Sequence, residues 1–154
     1  MKHIFITLMG CGLLAACANN DASTSKDTHG EDSAKHAQLM VAAADTSNYT
    51  SMQWIDSTFQ NIGKVKEGQV AEVSWKFKNT GTKPLIIVDV VPGCGCTVAD
   101  KPKEPIAPGA ESVIKAKFDS KGQSEGEHQK MISVQANTTG NTFHQLSFKV
   151  DVTK

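Results

Sequence analysis

Four stretches of this chain alternate between apolar and polar residues with a period of two. Their apolar members are Val73, Trp75 and Phe77; Ile114, Ala116 and Phe118; Ile132, Val134 and Ala136; and Leu146, Phe148, Val150 and Val152. Because successive side chains of a strand point to opposite faces, each stretch predicts a strand that is buried on one side only.

Three further segments favour strands, and turn-forming residues separate them all. The segments lie around Trp54 to Phe59, in the apolar run from Leu85 to Val91 and at Thr97 to Ala99. The turn signals are Asn79-Thr80-Gly81, Ala107-Pro108-Gly109, Ser120-Lys121-Gly122 and Thr138-Thr139-Gly140-Asn141. About seven short strands without helical periodicity predict an all-β fold, an antiparallel immunoglobulin-like β-sandwich over residues 52–154.

The first residues have the pattern of an export signal. Lys2 precedes an apolar run from Ile4 to Leu14, which is too short to span a bilayer as a permanent helix. The segment Leu14-Ala15-Ala16-Cys17 resembles the lipobox of bacterial lipoproteins. We expect a signal peptide over residues 1–16 and acylation of Cys17; the alternative is an ordinary signal peptide with a chance cysteine.

Residues 17–51 are expected to form a lipidated N-terminus and a flexible tether. This segment is rich in Ser, Thr, Asp, Lys and Ala, so it buries too little apolar surface to offset its ordering entropy. A helix over Ala34 to Ala44 would be marginal without a partner. Ala18 follows the expected lipidated cysteine, and by resemblance to lipoprotein sorting this favours the outer membrane, with the membrane face left open.

Charge and motifs argue against several classes of function. The formal net charge is zero, and it becomes about −1 when Lys2 is removed with the leader, so no field would attract nucleic acid. All sixteen basic residues are lysines, and bidentate phosphate recognition usually relies on arginine. The sequence also lacks a phosphate-binding glycine loop, a nucleophile-elbow serine and a zinc-protease helix. We therefore expect a protein that is not an enzyme and binds no nucleic acid.

Several motifs together resemble one bacterial family. They are Phe77-Lys78-Asn79-Thr80-Gly81, Pro84-Leu85-Ile86-Ile87, Gly93-Cys94-Gly95-Cys96-Thr97, Pro105, Pro108-Gly109, Phe118 and Gly122. Over about Asp56 to Val152 they resemble the domain of unknown function 1573 family. The resemblance implies a secreted or lipid-anchored protein with an immunoglobulin-like fold. One departure is Pro92-Gly93, where the family often has Ser before the first cysteine.

The motif Cys94-Gly95-Cys96 is the candidate functional site. In an extended strand its two Cα atoms would lie about 6.6 Å apart, at the upper edge of the ~4.4–6.8 Å range of disulfides, so a bridge requires a bend. Such a bridge closes only three residues and would contribute on the order of 1.5 kcal/mol of chain entropy.

Four roles for this cysteine pair stay open. They are a structural disulfide or packed thiols, a redox-labile disulfide, a Cu(I) site formed by Cys94 and Cys96, and a partner-recognition corner. His128 and His144 are the domain histidines that would add nitrogen ligands, and nothing in their spacing places them near the corner.

Two functions follow as expectations. The first is a membrane-anchored envelope module that binds a protein or a glycan, without a cofactor. The second is soft-metal binding or thiol redox exchange at the Cys-Gly-Cys corner.

Overall fold

The computed structural model describes residues 29–154, with side chains described from residue 33 onward. The elements, in chain order, are α1 (His29–Ala44), a short 3₁₀ helix (Thr46–Asn48), β1 (Met52–Trp54), β2 (Phe59–Lys66), β3 (Val70–Asn79), β4 (Ile87–Pro92), β5 (Thr97–Asp100), β6 (Glu111–Asp119), β7 (Gly126–Ala136) and β8 (Phe143–Thr153). The expected signal peptide, Cys17 and the start of the tether lie outside the described residues. Within residues 29–154, no helix is both long and apolar enough to cross a membrane.

The eight strands form two sheets of four that pack face to face. The first sheet has the order β1-β3-β6-β5 and the second has the order β2-β8-β7-β4. Neighbouring strands are antiparallel except β2 and β8, which are parallel. The predicted all-β, immunoglobulin-like β-sandwich is therefore confirmed.

The structure has eight strands rather than about seven, because the expected strand from Trp54 to Phe59 is mostly a connection, with Trp54 ending β1 and Phe59 beginning β2. β1 pairs with β3, and β2 pairs with β8 in the opposite sheet. The link between them is held by Asp56, whose Oδ2 accepts a hydrogen bond of 2.8 Å from the Lys76 backbone N–H. A bulge between Asn61 and Lys64 contains Gly63 at a φ of 75°. This extra residue breaks the alternation in β2, so no period-two pattern marks the strand in the sequence.

The core lies between the two sheets and consists of the predicted inward rows. All thirteen apolar residues of the four alternating stretches are buried. Phe148 of the second sheet contacts two aromatic rings of the first, with centroid separations of 5.9 Å to Phe118 and 6.3 Å to Trp75. Burial of each large apolar side chain stabilises the fold by about 1.5–3 kcal/mol, so these rows hold the sheets together.

The apolar run at β4 is buried on both of its faces. Leu85, Ile87 and Val90 belong to the core between the sheets. Ile86 and Val88 face the other way and are covered by α1, through Leu39, Ala42 and Ala43. A strand with two covered faces has no polar side, which explains why this run shows no alternation.

Part of the expected flexible tether is therefore folded against the domain. The sequence predicts only a marginal helix over Ala34 to Ala44, because no partner for this segment can be identified from it. In the structure the partner is the outer side of β4, and packing of this kind supplies most of a short helix's stability. The following residues are also attached, since Thr50 pairs with Thr138 in a parallel bridge and is buried.

Candidate functional site

The Cys-Gly-Cys corner connects the two sheets. β4 ends at Pro92 in the second sheet and β5 begins at Thr97 in the first. The Gly93 N–H donates to the Met131 carbonyl at 2.9 Å, and the Asp119 N–H donates to the Cys96 carbonyl at 2.9 Å. The corner is thus attached to β7 at one end and to the end of β6 at the other.

The two cysteines form a disulfide, with their Cα atoms 5.4 Å apart. This separation is shorter than that of an extended strand, so the bend that a bridge requires is present. A hydrogen bond of 3.3 Å from the Thr97 N–H to the Cys94 carbonyl closes the turn. Gly95 lies at its tip, where a Cβ atom would meet no other atom within 4 Å.

Thr97 is a site residue that the sequence-based prediction misses. Its side chain is buried, and its hydroxyl oxygen lies 3.7 Å from the Cys94 sulfur and 3.9 Å from the Cys96 sulfur. The signal that could have identified it is its position directly after the second cysteine. The hydroxyl is placed to donate a hydrogen bond to either sulfur.

The cysteines differ in their surroundings. Both are half-buried, and Cys96 packs against the main core, whereas Cys94 is not among the residues that do so. The corner therefore holds Cys96 against the interior.

The structure does not bring the histidines together as metal ligands. His144 Nε2 lies 2.8 Å from the Thr138 hydroxyl, and its ring packs edge-on against Trp54. Burial lowers the pKa of His144 below its usual value. His128 Nε2 lies 2.7 Å from the Ser124 carbonyl. Because His144 pairs with Val134, six residues along β7 from His128, the two histidines are about 20 Å apart.

No metal-binding cluster is found within residues 33–154. No group of three or more His, Cys, Asp or Glu side chains is arranged to hold an ion there. A Cu(I) site at Cys94 and Cys96 would also require that the disulfide first be reduced, because Cu(I) binds thiolates.

A second feature adjoins the corner on the outer face of the second sheet. Each strand of this sheet carries one large apolar side chain that is exposed: Phe59 (46%) on β2, Val91 (52%) on β4, Met131 (52%) on β7 and Phe143 (56%) on β8. The register aligns Phe59 with Ser147 and Met131, and it aligns Val91 with Ser133 and Gln145. We call this set of apolar side chains, with Ser133, Gln145 and Ser147 between them, the outer patch.

The outer patch contrasts with the outer face of the first sheet. None of the residues in the patch is charged, whereas the exposed positions of β3 and β6 include Glu72, Lys76, Lys115 and Lys117. Lys117 and Glu72 form an ion pair of 3.0 Å on that face. The outer face of the second sheet also carries charges, among them Asp89 and the ion-paired Lys149 and Glu127. Among the described residues, the outer patch is thus an uncharged apolar area with charged positions at its borders.

Comparisons with known proteins give the family and the fold. A sequence model of the family described as "Protein of unknown function (DUF1573)" matches residues 52–152. No curated protein is significantly similar in sequence to this chain.

Two solved structures illustrate the likeness of fold. A protein of unknown function from Porphyromonas gingivalis W83 has a TM-score of 0.61 at 18% identity, covering 69% of this chain and 48% of that one. The Vibrio cholerae VesB protease has a TM-score of 0.51 at 14% identity, covering 68% of this chain and 32% of that one. The chain thus spans about half the length of the first protein and a third of the second, and at these identities the likeness concerns the fold alone. The match of the family model over most of the chain establishes that this protein belongs to the domain of unknown function 1573 family.

Proposed function

We propose that this protein is a lipid-anchored envelope module that binds another envelope protein through the outer patch and catalyses no reaction. The anchor is the acylated Cys17, and the membrane is the outer membrane. The observation that carries the binding role is the outer patch, with four exposed apolar side chains on four neighbouring strands. Exposed apolar patches of this kind mark interaction sites more often than scattered single residues do.

The chemistry of the outer patch favours a protein over a glycan. Two of its four apolar members, Val91 and Met131, are aliphatic, and the flexible thioether of methionine adapts to varied protein surfaces. The serine and glutamine side chains between them offer hydrogen bonds without the desolvation cost of a charge. The Gln145 amide already contacts the Met131 sulfur at 3.1 Å, so the patch is continuous across strands β7 and β8.

The anchoring proposal rests on the lipobox-like segment that ends in Cys17. Replacing Cys17 with alanine is expected to abolish incorporation of a labelled fatty acid and to release the chain from membranes into the soluble fraction. Cys11→Ala is the matched control, because that cysteine would be removed with the signal peptide. Unchanged labelling and membrane retention in the Cys17→Ala protein would refute the anchor.

The binding proposal is tested by site-specific photocrosslinking in the native host. A photoreactive phenylalanine analogue at Met131 is expected to give one discrete protein adduct, because this position lies in the middle of the outer patch. The control position is Ser74, which is also exposed, on the outer face of the other sheet. In the protein that carries the photoreactive residue at position 131, the additional substitution Val91→Lys should lower the yield of the adduct about tenfold, as expected for a charge placed in a desolvated contact.

Three outcomes would contradict this proposal. The first is an identical adduct from the Ser74 position, and the second is the absence of any adduct from Met131. The third is an adduct that carries glycan instead of polypeptide, which would support the glycan-binding reading of the same surface. Because Val91 is half exposed, the lysine variant is expected to fold normally, and circular dichroism checks this.

We propose no resident cofactor. Cu(I) binding is the alternative role for Cys94 and Cys96, and it would apply only to the reduced pair. A Cu(I) titration of the reduced protein against the Cys94→Ala, Cys96→Ala variant would support this role if only the wild type binds the metal.

A further inference from the structure

The Cys94–Cys96 disulfide contributes little to holding the fold together. It closes a loop of three residues, and the stabilisation that a disulfide derives from chain entropy falls as the loop becomes shorter. The corner is instead held by backbone hydrogen bonds to Met131 and from Asp119, which do not depend on the disulfide. Reducing this bond would therefore leave the main contacts of the corner in place.

The surroundings of the two sulfurs indicate which sulfur an incoming thiolate attacks and which sulfur leaves. Both cysteines are half-buried, and because Cys96 packs against the core, we expect an incoming thiolate to reach the Cys94 sulfur more readily. Cys96 packs against the core, and its sulfur would leave as the thiolate. The Thr97 hydroxyl lies 3.9 Å from that sulfur and 3.7 Å from the Cys94 sulfur, so it can donate a hydrogen bond to whichever sulfur develops negative charge. A leaving thiolate of lower pKa departs faster, so a hydrogen bond from Thr97 to the leaving sulfur would speed the exchange.

We propose that the Cys94–Cys96 disulfide exchanges with the dithiol of a protein bound at the outer patch, and that it accepts two electrons from that partner. The partner thiolate attacks the Cys94 sulfur, the Cys94–Cys96 bond breaks, and Cys96 leaves as a thiolate. The second partner thiolate then attacks the partner sulfur of the mixed disulfide and releases Cys94 as a thiolate. The partner thus gains a disulfide, and the two corner thiolates take up the two protons that the partner thiols lose. The exchange is stoichiometric.

The position of the corner supports this assignment. Gly93 is hydrogen-bonded to Met131, the central residue of the outer patch, and Val91 lies two residues before Gly93, near the end of β4. A protein covering the patch would therefore lie beside Cys94. This placement rests on the proposed binding function, whereas the reactivity of the disulfide toward small thiols does not.

The first experiment measures reactivity without any partner. The full chain in detergent is incubated with reduced glutathione, the free thiols are alkylated, and the protein is digested with trypsin. Residues 79–103 form one tryptic peptide because prolines follow Lys83 and Lys101, and this peptide contains only Cys94 and Cys96. We expect the native chain to be reduced at a rate within about tenfold of the rate in urea, because neither cysteine is fully buried.

Thr97 variants test the proposed positioning role. Thr97→Val removes the hydroxyl at nearly constant shape, and it is expected to slow reduction about threefold to tenfold and to raise the pKa of the Cys96 thiol measured by alkylation. Thr97→Ser should restore both values. Equal rates and equal alkylation profiles in all three proteins would remove Thr97 from the mechanism.

A trapping experiment tests whether the corner forms a mixed disulfide with a partner protein. In the native host, Cys96→Ala leaves Cys94 as a thiol that oxidised partners can capture, and it should accumulate a mixed disulfide that reductant dissolves. Cys94→Ala should accumulate at least about tenfold less, since Cys96 packs against the core. Adding Val91→Lys should lower the Cys96→Ala adduct.

The outcomes of these experiments distinguish the redox proposal from the binding proposal. Rapid reduction by glutathione without any mixed disulfide in the host would show that the disulfide is labile. It would also overturn the proposal that the disulfide exchanges with a partner protein. Resistance to glutathione in the native chain, with reduction only in urea, would overturn the redox proposal, and the photocrosslinking result at Met131 would be unaffected. The Cys94→Ala, Cys96→Ala variant should keep the circular dichroism spectrum of the wild type. Loss of its folded spectrum would show that the disulfide is structural.

Discussion

Replacing Gly81 with alanine is expected to destabilise the domain by about 3 kcal/mol or to prevent folding, because the new methyl group has no room. A Cβ atom at this position would lie 2.1 Å from the Thr50 hydroxyl oxygen and 2.6 Å from the Ser51 backbone nitrogen. The first neighbour is a buried side chain and the second is backbone, so neither can move cheaply. Denaturant unfolding followed by circular dichroism measures the loss.

The region around Gly81 amplifies the effect. The Thr80 and Gly81 N–H groups both donate to the Ser51 carbonyl, at 2.9 and 3.2 Å. The fully buried Asn79 side chain accepts hydrogen bonds from Thr50 and Gly81, and it donates to the Lys83 and Ile106 carbonyls. Displacing residues 50 and 51 would break several of these bonds together, and a buried polar group left unpaired costs about 1–3 kcal/mol.

Gly95→Ala is the matched control for this prediction. A methyl group added to this glycine, at the tip of the Cys-Gly-Cys corner, would meet no heavy atom within 4 Å. The variant should therefore stay within about 0.5 kcal/mol of the wild type. Equal stability of the two alanine variants would show that the Asn79-Thr80-Gly81 turn tolerates the methyl group and would remove the steric explanation for this family motif.

A chain that begins at Met52 is expected to be less stable than one that begins at Asp45 by about 4 kcal/mol, from several lost hydrogen bonds at about 0.5–1.5 kcal/mol each. The shorter chain lacks Thr50, whose N–H donates to the Asn137 carbonyl at 3.0 Å and whose carbonyl accepts from the Thr139 N–H at 2.9 Å. It also lacks the Asn48 carbonyl, which accepts from the buried Asn137 side chain at 2.7 Å. Denaturant midpoints of the two purified fragments give the difference.

The fragment from Asp45 provides an internal control, because it lacks α1 but keeps residues 45–51. Comparing it with a chain that begins at His29 isolates the contribution of α1, which covers Ile86 and Val88. If the fragments from Met52 and Asp45 unfold at the same denaturant concentration, residues 45–51 behave as tether, and the domain boundary expected from the sequence is correct.

The sequence by itself determined the class of the fold. The buried rows that contain Trp75 and Phe118 could be predicted because the side chains of a strand alternate between its two faces. This local rule needs no knowledge of the strand's partners. The turns could be predicted because they too depend on local residue types. Gly109, Gly122 and Gly140 take positive φ values that favour glycine. The position of the Cys94–Cys96 pair at the end of a buried strand also followed from local sequence. Acylation of Cys17 stays a prediction.

Tertiary structure alone decided which residues meet. The division of the first predicted strand, the parallel pairing of β2 with β8 and the covering of Ile86 by α1 depend on contacts between segments far apart in the chain. The outer patch depends on register, because Phe59 and Met131 lie on different strands and become neighbours only through Ser147 between them. Thr97 is adjacent to the cysteines in sequence, yet its burial beside both sulfurs follows from its pairing with Phe118 in the first sheet. Period-two patterns report which face of a strand is buried, and they carry no information about which strand lies next to it.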